Sequence, residues 1–133
     1  LVRAFAPDVL VTQLGIDSYH SDPLTHLQVT TEGYIEAVRE FSGLGLPWLA
    51  LGGGGYDVTA VARAWTLAYG VMLDIDWPDQ LPLAFANEHG AGRLRDEVSP
   101  EVPGDIKVEA RRYAEEAVAA IRQEVFPVHG LSG

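Results

Sequence analysis

Two short loops hold the side chains that could do chemistry. The first runs Leu14-Gly15-Ile16-Asp17-Ser18-Tyr19-His20-Ser21-Asp22-Pro23-Leu24-Thr25-His26 and sets Asp17, His20, Asp22 and His26 within ten residues of one another. Carboxylate oxygen and imidazole nitrogen are ligands for Zn²⁺ or another divalent ion. The same aspartates also suit turns, because an Asp side chain accepts hydrogen bonds from nearby backbone amides. Neither histidine has a partner at the His-x-His or His-x-x-x-His spacing of recurrent metal sites, so both read equally as solvated loop side chains. The second loop is Leu51-Gly52-Gly53-Gly54-Gly55-Tyr56-Asp57. Successive glycines carry an entropic cost and make sense where backbone turns sharply or presses close to a ligand. A phosphate at a helix N-terminus is one such ligand, but G-x-G-x-x-G spacing would require glycine at Asp57, and a P-loop would require Lys-Ser or Lys-Thr. The alternative is a glycine wall that admits a slim substrate. Tyr56 would then donate a hydrogen bond to a developing oxyanion while a metal polarises the same carbonyl. A core aromatic at a helix start is the structural reading of the same tyrosine.

Both loops need elements to hold them. Residues 9–14, Val-Leu-Val-Thr-Gln-Leu, read as a strand buried on both faces. Over residues 31–42, Tyr34, Ile35, Val38 and Phe41 share one helical face, with Thr30 or Thr31 available as the N-cap. Gly43, Gly45 and Pro47 punctuate the return to a second apolar strand, Trp48-Leu49-Ala50-Leu51. Strands joined by one helix are parallel, with a right-handed crossover. The two loops therefore leave the carboxyl ends of the strands, where open parallel sheets bind ligands. Asp57 can cap a helix running to about Leu73, with Val58, Val61, Ala62, Trp65, Ala68, Tyr69 and Met72 as its apolar stripe. From Asp74 to Asp105, Pro78, Pro82, Pro100 and Pro103 predict an extended excursion, and apolar residues from Ile106 to Ile121 predict a terminal helix.

Composition narrows the function classes. The chain has 133 residues, 47% of them hydrophobic, with 19 acidic against 9 basic side chains and a formal charge of -10. One core fits that length. Without cysteine there is no disulfide scaffold, thiol nucleophile or thiolate-ligated zinc. The acidic balance argues against nucleic acid as a partner. No apolar stretch is long enough to span a bilayer and no secretory signal opens the sequence, so no membrane partner is expected and the cytoplasm is the expected location. Leu1, Val2 and Phe5 before Pro7 read as the end of a helix, so the chain is expected to begin mid-protein. Two apolar parallel strands alone leave unpaired edges, which favours self-association as a homo-oligomer or membership of a larger sheet.

Together the loops resemble a known family. Leu14-Gly15-Ile16-Asp17, Asp22-Pro23-Leu24, Thr30-Thr31-Glu32-Gly33-Tyr34, Leu51-Gly52-Gly53-Gly54-Gly55-Tyr56 and Ala62-Arg63-Ala64-Trp65-Thr66 are similar to the C-terminal part of zinc-dependent histone deacetylases. They also resemble the bacterial acetoin-utilisation deacetylases, and within the family the class I enzymes more than other branches. The resemblance covers residues 1–82, a β-α-β-α core; residues 83–133 look like a variable tail ending in a helix, with no site assigned.

The resemblance implies an α/β fold, the C-terminal part of a three-layer α/β/α arginase/deacetylase-like sandwich around a parallel sheet. It implies that Asp17 is a zinc ligand, that Tyr56 stabilises the tetrahedral intermediate, and that Leu24, Gly54 and Gly55 line the tunnel for the acyl-lysine substrate. Such enzymes hydrolyse acetyl-lysine or a related acyl amide, using Zn²⁺ and a paired-histidine base. The paired histidines and the other zinc ligands of that family lie upstream of the matching region, so this chain alone is expected to be catalytically silent. The competing expectations are a non-catalytic α/β module whose glycine loop takes phosphate or nucleotide, and an association domain.

Overall fold

The computed structural model describes residues 1–132, which fall into two compact units, 9–100 and 1–8 together with 101 onward. The larger unit is built on a β-α-β-α run. Strand β1 (Leu10–Gln13) leads to helix α2 (Thr31–Ser42), strand β2 (Trp48–Leu51) and helix α3 (Val58–Leu73). A short helix, α1 (Val2–Phe5), precedes them. The strands are parallel, with Leu10 opposite Trp48 and Gln13 opposite Leu51.

Local chemistry starts both long helices where the pattern predicts. The Thr30 hydroxyl accepts from the Gly33 amide at 3.2 Å, and one Asp57 carboxylate oxygen accepts from the Thr59 and Ala60 amides, each at 3.0 Å. Helices α2 and α3 pack together over a core of Leu14, Ile16, Tyr19, Tyr34, Ile35, Val38, Ala60, Ala64, Leu67, Ala68 and Leu94. Trp48 and Ala50 pack against that cluster, and Thr12 is buried beside them.

The opposite face of the sheet is bare. Val11, Leu49 and Leu51 are 57%, 53% and 49% exposed, although a run this apolar was expected to be covered on both faces. The alternation along each strand is strict because successive side chains point to opposite faces, and α2 and α3 cover only one.

The proline-rich stretch is more ordered than its composition suggests. It contains helix α4 (Leu83–His89), which ends on Gly90 in the left-handed region at φ 71°. An antiparallel bridge joins Gln80 to Arg93, and the Leu94 amide donates to the Asp79 carbonyl at 2.7 Å. Leu94 is thereby carried into the core, at 2% exposure.

In the smaller unit, helix α5 (Gly104–Glu124) is followed by a 3₁₀ turn over Pro127–His129. The Phe5 ring meets His129 edge-on at 6.0 Å. No residue of α5 is buried. Among the described residues no helix is long and apolar enough to cross a membrane.

Candidate functional site

The two loops lie side by side because pairing continues beyond the strands. The Leu14 amide donates to the Leu51 carbonyl at 2.8 Å and the Ile16 amide to the Gly54 carbonyl at 2.7 Å. This close approach explains the glycine run. A Cβ on Gly54 would collide with the Asp17 carboxylate. Gly55 sits at φ 145°, and a Cβ there would come within 2.7 Å of Val61 and 2.8 Å of Ile16. Steric demand and backbone conformation both call for glycine at that position.

Asp17 is therefore brought against the wall of the second loop, two residues before Tyr56. Leu24 and Tyr56 are linked as well, through their backbones. Asp22, only 6% exposed, accepts from the Leu24 amide on one carboxylate oxygen at 2.9 Å and from the Tyr56 amide on the other at 2.8 Å. Its carboxylate is thus spent on backbone. The turn-forming reading of Asp22 holds for the first bond, and the second crosses between loops. The side chains of Leu24 and Tyr56 themselves are exposed. The Ser21 hydroxyl donates to Asp57, adding a further tie. Burial pushes the Asp57 carboxyl up, but hydrogen bonds from Ser21, Ala60 and Thr59 and the Arg63 charge outweigh it and hold it below the usual carboxylate range.

Beneath the loops lies a buried polar hub that the sequence pattern does not announce. The Asp96 carboxylate accepts from the Tyr19 hydroxyl, from Arg63 at 2.7 Å and from the Thr31 amide at 2.8 Å. The Asp96 amide donates back to the Thr31 hydroxyl at 3.0 Å. Burial would raise this carboxyl, and the donors from Tyr19, Thr31 and Arg63 overcome that and lower it. Tyr19 is pushed up to about 12, first by burial and then by its bond to Asp96. The hub ties the Asp17 loop, the start of α2 and the middle of α3 to one carboxylate. Asp96 comes from the stretch to which no role was assigned, and only its distance in sequence hid it.

The histidines of the first loop do not converge on Asp17. His20 packs its ring on Tyr19 at 4.2 Å, and His26 is exposed. Among the described residues no group of three or more His, Asp or Glu side chains stands where it could hold a metal ion. A catalytic zinc needs about three protein ligands, so the donors of this chain do not form a complete zinc site. A cleft of about 700 Å³ runs between α2 and α3, past Ile35, Arg39, Leu67, Val71 and Trp77. None of Asp17, Leu24, Gly54, Gly55 and Tyr56 lines it.

A family model described as the histone deacetylase domain matches residues 1–72. The chain belongs to the histone deacetylase family. It is 31% identical to histone deacetylase 9 of Arabidopsis thaliana, across 96% of this chain and 33% of that protein. It is 39% identical to human histone deacetylase 1 across 62% of this chain and 17% of the relative. With histone deacetylase B of Dictyostelium discoideum the identity is 41%, over 59% and 18% respectively. The chain thus spans a third or less of the length of these histone deacetylases. The family match takes in both loops and most of α3, and Asp96 lies beyond it.

Proposed function

We propose that this chain is the C-terminal part of a metal-dependent deacetylase domain that hydrolyses acetyl-lysine or a related small acyl amide. The observation that carries the proposal is the seating of the Asp17 carboxylate against Gly54, in the loop that presents Tyr56. An oxygen ligand and a phenol then serve one crevice at the strand ends, as expected for acyl transfer with electrostatic stabilisation.

In this reading Tyr56 donates its hydroxyl hydrogen to the oxygen on which charge develops, and Asp17 offers one carboxylate to Zn²⁺. Leu24, Gly54 and Gly55 border the path of the acyl-lysine chain. The remaining zinc ligands and the general base come from outside these residues, so the chain alone is inactive. The bare face carrying Val11, Leu49 and Leu51 supports a three-layer α/β/α arrangement, in which a further layer covers it and further strands pair with its edges. Expressed alone, those edges and that face favour self-association. The phosphate-loop alternative is disfavoured by Asp57, whose carboxylate already occupies the first amides of α3 and would repel an anion there.

The test is zinc content and acetate release from an acetyl-lysine peptide, measured on the complete domain and on this chain alone. The complete domain should bind one zinc and turn over, and Tyr56→Phe should lower kcat by about 10²–10³-fold. The isolated chain should release no acetate. Undiminished turnover in Tyr56→Phe would overturn the role of the tyrosine.

A further inference from the structure

We infer that Asp22 is a positioning residue that sets Tyr56 relative to Leu24, fixing the tyrosine hydroxyl at the mouth of the site. The inference rests on the functional reading above and adds to it a residue with no direct contact to substrate. Tyr56 follows four glycines, the backbone least able to restrain its own direction. Tyr56 is 55% exposed, so packing within this chain holds it only weakly. Its amide is held by the buried Asp22 carboxylate at 2.8 Å.

The other oxygen of that carboxylate accepts from the Leu24 amide at 2.9 Å, and Leu24 is 65% exposed. One carboxylate thus anchors the backbones of two residues whose side chains are both free to meet a ligand. Here the two N–H donors sit on the two different oxygens of Asp22, an arrangement that a carboxylate supplies and an Asn, with one oxygen and one NH₂, does not. An Asn would turn its NH₂ toward one of the amides, and a displacement of about 1 Å at a reacting group can lower a rate by about 10²-fold.

Asp22→Asn tests this in two arms. In the present chain, amide hydrogen exchange at Tyr56 and Leu24 should accelerate at least about tenfold, the scale of one lost charged hydrogen bond, while Val38 and Leu67 in the core keep their protection. In the complete domain, kcat should fall by about 10–100-fold with little change in KM, and the same substitution in a Tyr56→Phe background should cost less than about twofold, since Asp22 acts through the hydroxyl that is already gone. Asp22→Ser provides a second variant: its hydroxyl can keep the local bond to Leu24 but is too short to reach Tyr56, so exchange should accelerate at Tyr56 alone.

Unchanged exchange at Tyr56 in both variants would overturn the strut. Accelerated exchange with an equal kcat loss in both backgrounds would overturn the positioning role and leave a purely structural one. Full turnover by Tyr56→Phe itself would overturn the functional reading, and the exchange arm would then decide the strut on its own.

Discussion

Removing the Asp96 carboxylate should unfasten the support beneath the site, and the size of the effect follows from what it leaves behind. In Asp96→Ala, the Arg63 guanidinium, whose side chain is 11% exposed, loses its counter-charge. The Tyr19 hydroxyl and the Thr31 amide lose their acceptor. Breaking one side of a buried ion pair costs about 3–5 kcal/mol. Arg63 keeps two bonds, to the Leu94 carbonyl at 3.1 Å and to the Tyr19 hydroxyl at 3.3 Å, which places the expectation in the lower half of that range. Domains of this size are stable by about 5–15 kcal/mol, so the loss is a large fraction of the whole. With a urea m-value of roughly 2 kcal/mol/M, the midpoint should fall by about 1.5–2 M.

The assay is urea unfolding followed by tryptophan fluorescence, because Trp48, Trp65 and Trp77 all lie in the unit that contains the hub. Glu97→Ala is the control. Its partner Arg93 is 2.6 Å away in the same unit, but the pair is 67% and 59% exposed, and such pairs contribute less than about 1 kcal/mol. An Asp96→Ala midpoint no lower than that of the control would refute the reasoning, and the hub would then be a geometric coincidence of polar groups.

Acid should act on the same groups. Asp96 and Asp57 are held below the usual carboxylate range in the folded chain, so their contribution is present above the unfolded value of about 4 and is lost as pH falls through their folded values. Asp96→Asn should flatten the acid limb of a stability profile measured by urea midpoints. Alkali should work through phenols: Tyr19 and Tyr34 are both pushed up to about 12, each chiefly by burial. Their contribution is complete below about pH 10 and is lost as pH rises toward 12. Tyrosinate absorbance from Tyr19 and Tyr34 should therefore appear together with unfolding, which absorbance and circular dichroism followed in one alkaline titration would check. Finally, Gly54→Ala should destabilise by about 1–3 kcal/mol as its methyl group displaces Asp17. Gly92→Ala, with nothing within 4 Å of the added carbon, should be neutral or slightly stabilising, and a thermal melt of each variant checks both.

Much of this protein was legible in its residues. Apolar spacing and caps located α2 over Thr31–Ser42, β2 over Trp48–Leu51 and α3 over Val58–Leu73, because period and capping are local properties of the chain. The buried face of α3 is a different one, however: it buries Ala60, Ala64, Leu67, Ala68 and Gly70, and Val58, Ala62, Trp65, Tyr69 and Met72 of the predicted stripe are exposed. Thr30 and Asp57 cap as their types suggest, and the glycine run announced a close approach. Tertiary structure decided what approaches. The nearest neighbours of Gly54 and Gly55 are the chain's own Asp17, Ile16 and Val61, and no local pattern specifies a contact between loops. It also decided that only one face of the sheet is covered, since an apolar run reads the same whether or not its second layer is present. Asp22 illustrates the division most clearly. Its bond to Leu24 spans two residues and belongs to the sequence; its bond to Tyr56 spans 34 and exists only because parallel pairing sets the two loops side by side.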